Sequence, residues 1–465
     1  MSLIGAALSA NRIYSFEQVF RTKDITSPAM RQAIGEWYNL YYCDEKNAGE
    51  DTCQRLPVAV VNKLYKAIFS EYTAAAEGSK AEYIRDILRG LDSARKKAVQ
   101  QMLIGGRCYL KPLLGQPMAF VVVNRRSYMP LSCDELGRVT DIGTWEQTQE
   151  GNTVYTLLER RTVDAAGYLT IESRLFRADM PSAGALGTEV PLGTLDKYAQ
   201  LEPLVRLPEP VYSIGLIPLE CPAENCVDGS MDPVSVYAAA CGLIHSINRN
   251  EAQINTEFEN GESRLIVPDT MMRRRPDGTR GLTDRVFIGA PLDVDGKAPI
   301  TAFSPQLREQ SFLSRKTEYL RNIESLIGFK RGILSQVEAT EKTATEITSS
   351  AGEYNLTIID FQQAWESAVR EALRVCNLLG RMYHLCDSAR VDPEKDVSIS
   401  WGNGILYDED QAWTDYKAMV AAGMLKPEIA LGWYFDMPTD TPEALAAIRE
   451  KYMPVAEEAP PEDKP

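Results

Sequence analysis

The sequence predicts an α+β fold in which a β-rich segment separates two mainly helical parts of the chain. Residues 1 to about 104, and again those after 231, carry apolar side chains at the 3/4 spacing of amphipathic helices. Residues 107–217 instead contain short segments rich in Val, Tyr, Thr and Leu, separated by glycine-containing turns, which is typical of a β-meander. With 465 residues, 44% apolar and 25% charged, the composition is that of a globular protein of roughly three structural units.

The N-terminal half, residues 1–231, divides into helices and then strands. Apolar spacing predicts helices over 58–74 and 81–103, and the aromatic set at Trp37, Tyr38, Tyr41 and Tyr42 is interpreted as core packing of an earlier helix. Irregular structure with one short strand, 211–217, is expected over 178–231, which is rich in Pro and Gly. The predicted strands of the meander are 108–114, 119–123, 139–145, 153–159 and 168–177.

After residue 231 the pattern predicts two helices that flank a compact insertion. Asp232-Pro233 is an acceptable helix start, and the first helix, 232–262, carries Leu243 and Ile247 on its apolar side. The insertion, 263–302, contains two strand-like pieces, 263–268 and 285–288. The second helix, 303–328, has Leu320 and Ile323 on one side and ends at Gly328. These apolar faces predict lateral packing between helices or subunits.

The remaining segments are an aperiodic stretch, a very long helix and a helical C-terminal part. Residues 329–342 show no periodicity, and Thr343 to Glu346 then fit a capping box. The helix it opens, within 343–390, would be roughly 65 Å long. Residues 391–453 predict a strand near 397–401 and three short helices near 408–422, 427–435 and 441–453, and 454–465 is predicted to be a disordered acidic tail.

The charge and cysteine content narrow the function classes. Net charge is −15, which disfavours a protein that grips nucleic acid tightly but is compatible with DNA passing by it. Nine scattered cysteines predict reduced thiols in a cytoplasmic setting. Five arginines nevertheless fall within thirteen residues of the insertion, and they form either a solvated loop or an interaction surface. These are Arg273, Arg274, Arg275, Arg280 and Arg285.

No motif for enzymatic chemistry stands out. A phosphate-binding Gly-x-x-x-x-Gly-Lys loop is absent, and His245 and His384 lack partner ligands at metal spacing. The acidic run at 408–410 is interpreted as helix-dipole complementation rather than a magnesium site. We therefore expect no catalytic activity, no cofactor and no metal. The longest apolar run, 236–244, is too short to span a bilayer, so no membrane association is expected.

Four motifs, in a fixed order around the two helices, carry a resemblance to a known family. They are Asp228 to Tyr237 (DGSMDPVSVY), Glu262 to Pro268 (ESRLIVP), Ile323 to Gly328 (IESLIG) and Lys342 to Ile347 (KTATEI). In their order and spacing the chain resembles the portal proteins, or head-tail connectors, of tailed bacteriophages. The resemblance is to the kind found in siphophages and in prophages of Gram-positive bacteria, and it covers about residues 30–453.

The resemblance implies a homo-oligomeric ring of about twelve copies at one capsid vertex of the virion, assembled in the host cytoplasm. Double-stranded DNA would pass through its channel without sequence-specific binding. The portal fold would comprise an α/β wing (1–231 plus the long helix 343–390), a two-helix stem (232–262 and 303–328), a small α/β clip (263–302), a tunnel loop (329–342) and an α-helical crown (391–453).

Residue roles follow from the same resemblance. Lys330, Arg331 and Lys342 would face the channel, and Leu243, Ile247, Leu320 and Ile323 would pack the stem. The five clip arginines would dock the large terminase subunit during packaging and the head-tail adaptor afterwards. Major capsid and scaffolding proteins would be further partners.

Two other classes of function remain open from the sequence. One is a minor capsid, adaptor or head-morphogenesis protein, which would not form a large ring. The other is a metal-dependent nuclease, which would cleave plasmid DNA. The mass of the assembled protein separates the first from a portal, since twelve copies of a 51.8 kDa chain amount to about 620 kDa in a closed cyclic ring.

Overall fold

A computed structural model describes most of the chain as two compact units, Met1–Gly402 and Asn403–Pro465. The architecture mixes helices and sheets in separate stretches of sequence, and the predicted α+β class is confirmed. The residues that the structure describes are 15–43, 53–78, 80–113, 118–179, 186–260, 264–266, 273–274, 280–281, 301–303, 308–335, 344–382, 391–401, 409–435, 437, 439 and 441–453.

The described elements follow the predicted succession of helices, then strands, then helices, but the predicted helix at 58–74 ends at Ile68 and is followed by a strand that was not predicted. The described helices are α1 (15–20), α2 (Pro28–Tyr42), α3 (Leu56–Ile68), α4 (Ala81–Gly105), α5 (Cys241–Asn260), α6 (Glu309–Ile327), α7 (Ala344–Met382), α8 (Glu409–Ala421), α9 (Pro427–Tyr434) and α10 (Pro442–Tyr452). The described strands are β1 (Thr73–Ala76), β2 (Arg107–Leu113), β3 (Ala119–Val123), β4 (Tyr128–Cys133), β5 (Val139–Glu150), β6 (Thr153–Val163), β7 (Leu169–Asp179), β8 (Thr188–Val190), β9 (Leu204–Arg206), β10 (Ile217–Glu220), β11 (Arg264–Ile266), β12 (Arg273–Arg274), β13 (Arg280–Gly281), β14 (Thr301–Phe303) and β15 (Val397–Ser400).

The helices α2, α3 and α4 build the N-terminal part of the main core. Helix α2 begins at an N-cap serine, Ser27, whose hydroxyl accepts a hydrogen bond from the Met30 amide at 3.1 Å, with a proline at the first helical position. The aromatic prediction is confirmed for Trp37, Tyr38 and Tyr41, which are buried, whereas Tyr42 is exposed. The N-terminal aromatic residues are therefore mainly core packing.

The β-rich segment forms two sheets instead of a single meander. Strands β10, β2 and β3 make one antiparallel sheet, and β4 to β8 make the other, with β9 added to β7. The predicted strand at 211–217 is wrong, because the ordered pairing starts at Ile217, which lies opposite Leu110 of β2. That pairing joins residues more than a hundred positions apart, so local periodicity could not locate the strand.

One buried carboxylate stabilises the larger sheet. Glu159 on β6 lies 2.8 Å from the Lys111 ammonium and 2.7 Å from the Arg161 guanidinium. Burial alone would raise the pKa of Glu159, but the charges of Arg161 and Lys111 outweigh it and lower the pKa to about 2. The ionised carboxylate therefore stabilises the folded state.

We expect the larger unit to lose stability in acid because of Glu159. A carboxyl group whose pKa falls on folding stabilises the protein fully above its unfolded pKa, near 4.5, and loses that contribution as the pH falls towards about 2. The loss should be about 2 kcal/mol at pH 3 and reach about 3 kcal/mol only near pH 2. Urea unfolding at pH 7 and pH 3 measures this loss of stability, and Glu159→Gln should flatten the pH dependence while lowering stability at pH 7.

The exposed control Asp179→Asn should leave both the stability at pH 7 and its pH dependence unchanged. An equal pH dependence in all three proteins would contradict the assignment to Glu159.

The predicted start of the C-terminal part at residue 391 needs correction. Strand β15 pairs antiparallel with β1 of the larger unit, with Thr73 opposite Ser400 and Ala76 opposite Val397. The second compact unit therefore begins at Asn403. The sequence signal at 397–401 was read correctly as a strand, but its partner strand, β1, was not predicted.

The smaller unit contains the three short helices that the sequence predicts. Prolines occupy the first helical position of α9 and α10, and the Thr441 hydroxyl caps α10 by accepting a hydrogen bond from the Ala444 amide at 3.3 Å. Glu428 pairs with Arg449 across these two helices, and the pKa of Glu428 is lowered by its own backbone amide at the start of α9 and then by Arg449. The predicted tail, 454–465, lies outside the described residues.

The prediction that all nine cysteines are reduced is wrong for one pair. Cys43 and Cys53 form a disulfide, with their Cα atoms 6.6 Å apart. It joins the residue after α2 to the short segment before α3, a proximity that depends on how these helices pack and not on sequence spacing. The cysteines described as free are Cys108, Cys133, Cys221, Cys226, Cys241 and Cys376.

Candidate functional site

The helix pair α5 and α6 is the region to which the sequence assigns the stem, and its first helix starts later than predicted. Residues 232–237 are not helical, and α5 begins at Cys241 after a short 3-10 turn. The Asp232 carboxylate does not cap a helix; it lies 2.8 Å from the Arg125 guanidinium and 3.8 Å from that of Arg107. Both arginines are buried, and Asp232 compensates Arg125 while Glu220, at 2.6 Å, is the nearer partner of Arg107.

Helices α5 and α6 pack antiparallel, and polar contacts fix their register. The Lys316 ammonium lies 2.8 Å from the Glu251 carboxylate, and the Asn250 side-chain amide donates to the Phe312 carbonyl at 3.2 Å. Nearer the insertion, the Arg308 guanidinium donates two hydrogen bonds to Glu257, at 3.0 and 2.7 Å. These hydrogen bonds lower the pKa of Glu257. The pair is therefore held by side chains at several levels.

The four residues predicted to pack the stem lie against the chain's own core. Ile247 and Ile323 are completely buried in the main hydrophobic cluster, and Leu243 and Leu320 are half-buried against it. For Ile247 and Ile323, the packing that these apolar faces predict is therefore supplied within the chain. Residues of α7, β10 and the N-terminal helices belong to the same cluster.

The second helix ends at Gly328, as predicted. Gly328 has φ of +78°, in the left-handed region, and its amide donates to the carbonyls of α6. A Cβ at this position would lie 2.5 Å from the Thr357 hydroxyl of α7. Both the backbone angle and the close approach of α7 therefore require glycine here.

A buried glutamate on the last turn of α6 holds the segment that follows. The Glu324 side chain is fully buried, and its carboxylate accepts hydrogen bonds from the amides of Gly332, Leu334 and Ser335 and from the Ser335 hydroxyl. Gly332 has φ of +98°, a conformation that glycine adopts readily. The sequence analysis does not predict this role of Glu324. The signal for it is a carboxylate located within the apolar stripe of Leu320, Ile323 and Ile327.

The described part of the predicted channel loop is residues 329–335. Phe329 is buried and makes an edge contact with Tyr354 of α7, with ring centroids 6.2 Å apart. Although these residues lack periodicity, the Glu324 carboxylate and this aromatic contact hold residues 329–335 in place. Of the predicted channel residues, Lys330 is half-buried and Arg331 is exposed; Lys342 lies outside the described residues.

The long helix α7 crosses the larger unit. Its 39 residues span about 58 Å. One face is buried and includes Phe361, Trp365 and Val369, whereas Leu356 and Ile359 are exposed on the opposite side. The predicted capping box at 343 lies outside the described residues, as does the end of the predicted helix beyond 382.

In the described residues of the insertion between α5 and α6, two short strand pairs are antiparallel. Strand β11 pairs with β14, and β12 pairs with β13, placing Arg274 opposite Arg280. The structure thus brings Arg273, Arg274 and Arg280 to one small hairpin. Arg275, Arg285 and the predicted strand at 285–288 lie outside the described residues. Like charges in directly opposed positions destabilise an isolated hairpin.

Residues that could hold a metal do not cluster in the part of the chain that the structure describes. His245 lies 2.9 Å from the Glu36 carboxylate, and His384 is outside the described residues. Cys221 is buried whereas Cys226 is exposed. Within the same described ranges, no helix has the length and apolar character needed to cross a membrane.

Comparisons with known proteins give structural similarity at low sequence identity. No family model matches the chain, and no curated protein matches it. One similar solved chain comes from the neck of a native gene transfer agent particle computed with C12 symmetry, at 14% identity and a TM-score of 0.46, covering 90% of this chain and 96% of that one. Another comes from the virion of a native gene transfer agent particle, at 13% identity and a TM-score of 0.42, covering 87% and 93%. Similarity at this level does not establish a family for the protein.

Proposed function

We propose that this chain is the subunit of a portal ring, in which about twelve copies surround a channel at one vertex of a phage-type head. The observation that carries the proposal is the chain order of three features: the antiparallel pair α5 and α6, the small β-paired insertion between them, and the 39-residue helix α7 after them. This is the order that the sequence motifs of a portal protein imply.

The electrostatics agree with a conduit for DNA. A net charge of −15 weakens attraction to the phosphate backbone, which a protein that lets DNA move must keep low. In this proposal the protein acts without catalysing a reaction. Lys330, Arg331 and Lys342 make only transient phosphate contacts, and the arginines of the insertion steer acidic surfaces of the terminase and the head-tail adaptor.

The mass of the full-length protein in solution tests the proposal. We expect native mass spectrometry to find an assembly of about 620 kDa, and electron microscopy to show a ring with a central channel. A chain that stays at its monomer mass of 51.8 kDa at micromolar concentration would contradict it. Magnesium-dependent cleavage of plasmid DNA by the same preparation would favour the nuclease alternative instead.

A further inference from the structure

A wide groove runs between three helices of the larger unit. Helices α2 and α5 contribute most of its walls through mainly polar residues, and α6 contributes Phe312 and Arg315. The groove has a volume of 1550 Å³, which is enough for about three turns of a helix of ~10 Å diameter. It is therefore large enough to receive a secondary-structure element rather than a single side chain.

The unpaired charge of the groove is positive. Four arginines and two glutamates line it. Glu257 forms an ion pair with Arg308 at 2.7 Å, and the Glu36 carboxylate lies 2.9 Å from the His245 ring. Arg31 is paired with Asp24 at 3.2 Å. The arginines without an ion-pair partner among the described residues are Arg249 and Arg315.

These two arginines lie at the same level of the helix pair. The contacts of Asn250 with Phe312 and of Glu251 with Lys316 set the register of α5 against α6. Arg249 immediately precedes Asn250 in the sequence, and Arg315 immediately precedes Lys316. Both are exposed, and both face the groove. Arg315 donates to the Tyr319 hydroxyl at 3.0 Å, a neutral group, so no carboxylate among the described residues compensates its charge.

We propose that this groove receives an acidic segment of a second copy of the chain, whose carboxylates pair with Arg249 and Arg315. This inference deepens the proposed function, on which it rests, by naming one contact between neighbouring subunits. A chain of net charge −15 presents an excess of carboxylates on its surface, and guanidinium groups bind carboxylates in a planar, two-point geometry. A helix laid in a groove is a common form of such recognition.

A second copy fits the groove better than DNA does. A phosphate backbone carries only negative charge along its length, so it cannot match walls in which the carboxylates of Glu36 and Glu257 lie among the arginines. A protein segment can place its own acidic residues opposite the arginines and other side chains opposite the glutamates. The mixed charge of the walls therefore favours a protein occupant.

Charge reversal in the full-length chain tests the proposal. In Arg249→Glu/Arg315→Glu, we expect the fraction of protein in the ring to fall by about tenfold or more, because like charges would face each other across the interface. Arg249→Lys/Arg315→Lys should retain the ring. The matched control is Arg321→Glu, which reverses a charge on α6 outside the groove. The melting temperature of each variant should stay near that of the parent, since these side chains are not core residues.

A cross-linking measurement keeps the proposal testable if a reversal variant misfolds. A photoreactive residue replaces Gln253, which lines the groove and is exposed, and rings are assembled from a mixture of isotope-labelled and unlabelled chains. We expect cross-links between differently labelled chains. Cross-links confined to one chain, or full ring assembly by the double reversal, would overturn this inference while leaving the portal proposal standing. A parent chain that remains monomeric would overturn both, and loss of DNA binding alone would make the groove a nucleic-acid surface.

Discussion

Replacing Ile323 with aspartate should unfold the larger unit rather than merely prevent assembly. Ile323 is completely buried in the main core cluster, so the change places an unpaired carboxylate among apolar side chains. The cost of an uncompensated buried charge is about 3–5 kcal/mol, which is a large share of the stability of a typical domain. Urea unfolding followed by circular dichroism measures this loss directly.

Leu320→Asp is the matched comparison for Ile323→Asp. Leu320 lies on the same helix but is only half-buried, so its charge can reach water and the monomer should keep its fold with a smaller loss of stability. The fraction of Leu320→Asp that assembles into the ring is then the informative measurement, because a half-buried position can still contact a neighbouring subunit. A folded, native-like Ile323→Asp chain would show that the core around α6 is misplaced.

Removing the carboxylate of Glu324 should release the segment that follows α6. Glu324→Ala leaves three backbone amides and the Ser335 hydroxyl without their acceptor in a buried place. Each unsatisfied buried donor costs about 1–3 kcal/mol, so the segment should detach instead of staying buried. Lys330 and Arg331 are trypsin sites within it, and we expect tryptic cleavage there to accelerate by about tenfold or more.

Two further variants separate this anchoring role from a general loss of stability. Glu318→Ala changes an exposed carboxylate on the same helix and should leave cleavage at Lys330 and Arg331 unchanged. The cleavage rate of Glu324→Gln should lie between those of the parent and of Glu324→Ala. The amide oxygen of glutamine can still accept hydrogen bonds, but its NH₂ group would face the backbone amides, which are also donors. Equal cleavage rates for the parent and Glu324→Ala would mean that the carboxylate does not hold the segment.

Helix positions were largely predictable because they depend on local signals. The end of α6 at Gly328 and the starts of α9 and α10 at their prolines follow from chain stereochemistry alone. The start of α5 was not predictable in this way. Asp232-Pro233 has the pattern of a helix start, but the Asp232 carboxylate forms ion pairs with Arg107 and Arg125 instead. A long-range ion pair overrode the local preference.

The burial of particular residues could not be inferred from periodicity. The stripe that contains Ile247 or Ile323 predicts a contact but does not say whether a neighbouring helix of the same chain or another subunit supplies it. The proximity of the two groove arginines could not be predicted from the sequence for a similar reason. Arg249 and Arg315 are 66 positions apart, and only the antiparallel pairing of α5 with α6 brings them to one level.

The pairing of β1 with β15 also bears on how the chain folds during synthesis. Thr73 cannot pair until Ser400 has been synthesised. The same holds for two nearby long-range contacts, in which the Tyr83 hydroxyl donates to the Cys376 carbonyl and Phe69 packs on Trp365. At translation rates of about 5–20 residues per second, the wait is roughly 15–65 s. Throughout that time, the nascent N-terminal helices expose apolar surface that α7 later covers. We therefore expect chaperones to bind the nascent chain before residue 400 emerges, and slow refolding of the denatured protein, as is usual for chains with many long-range contacts.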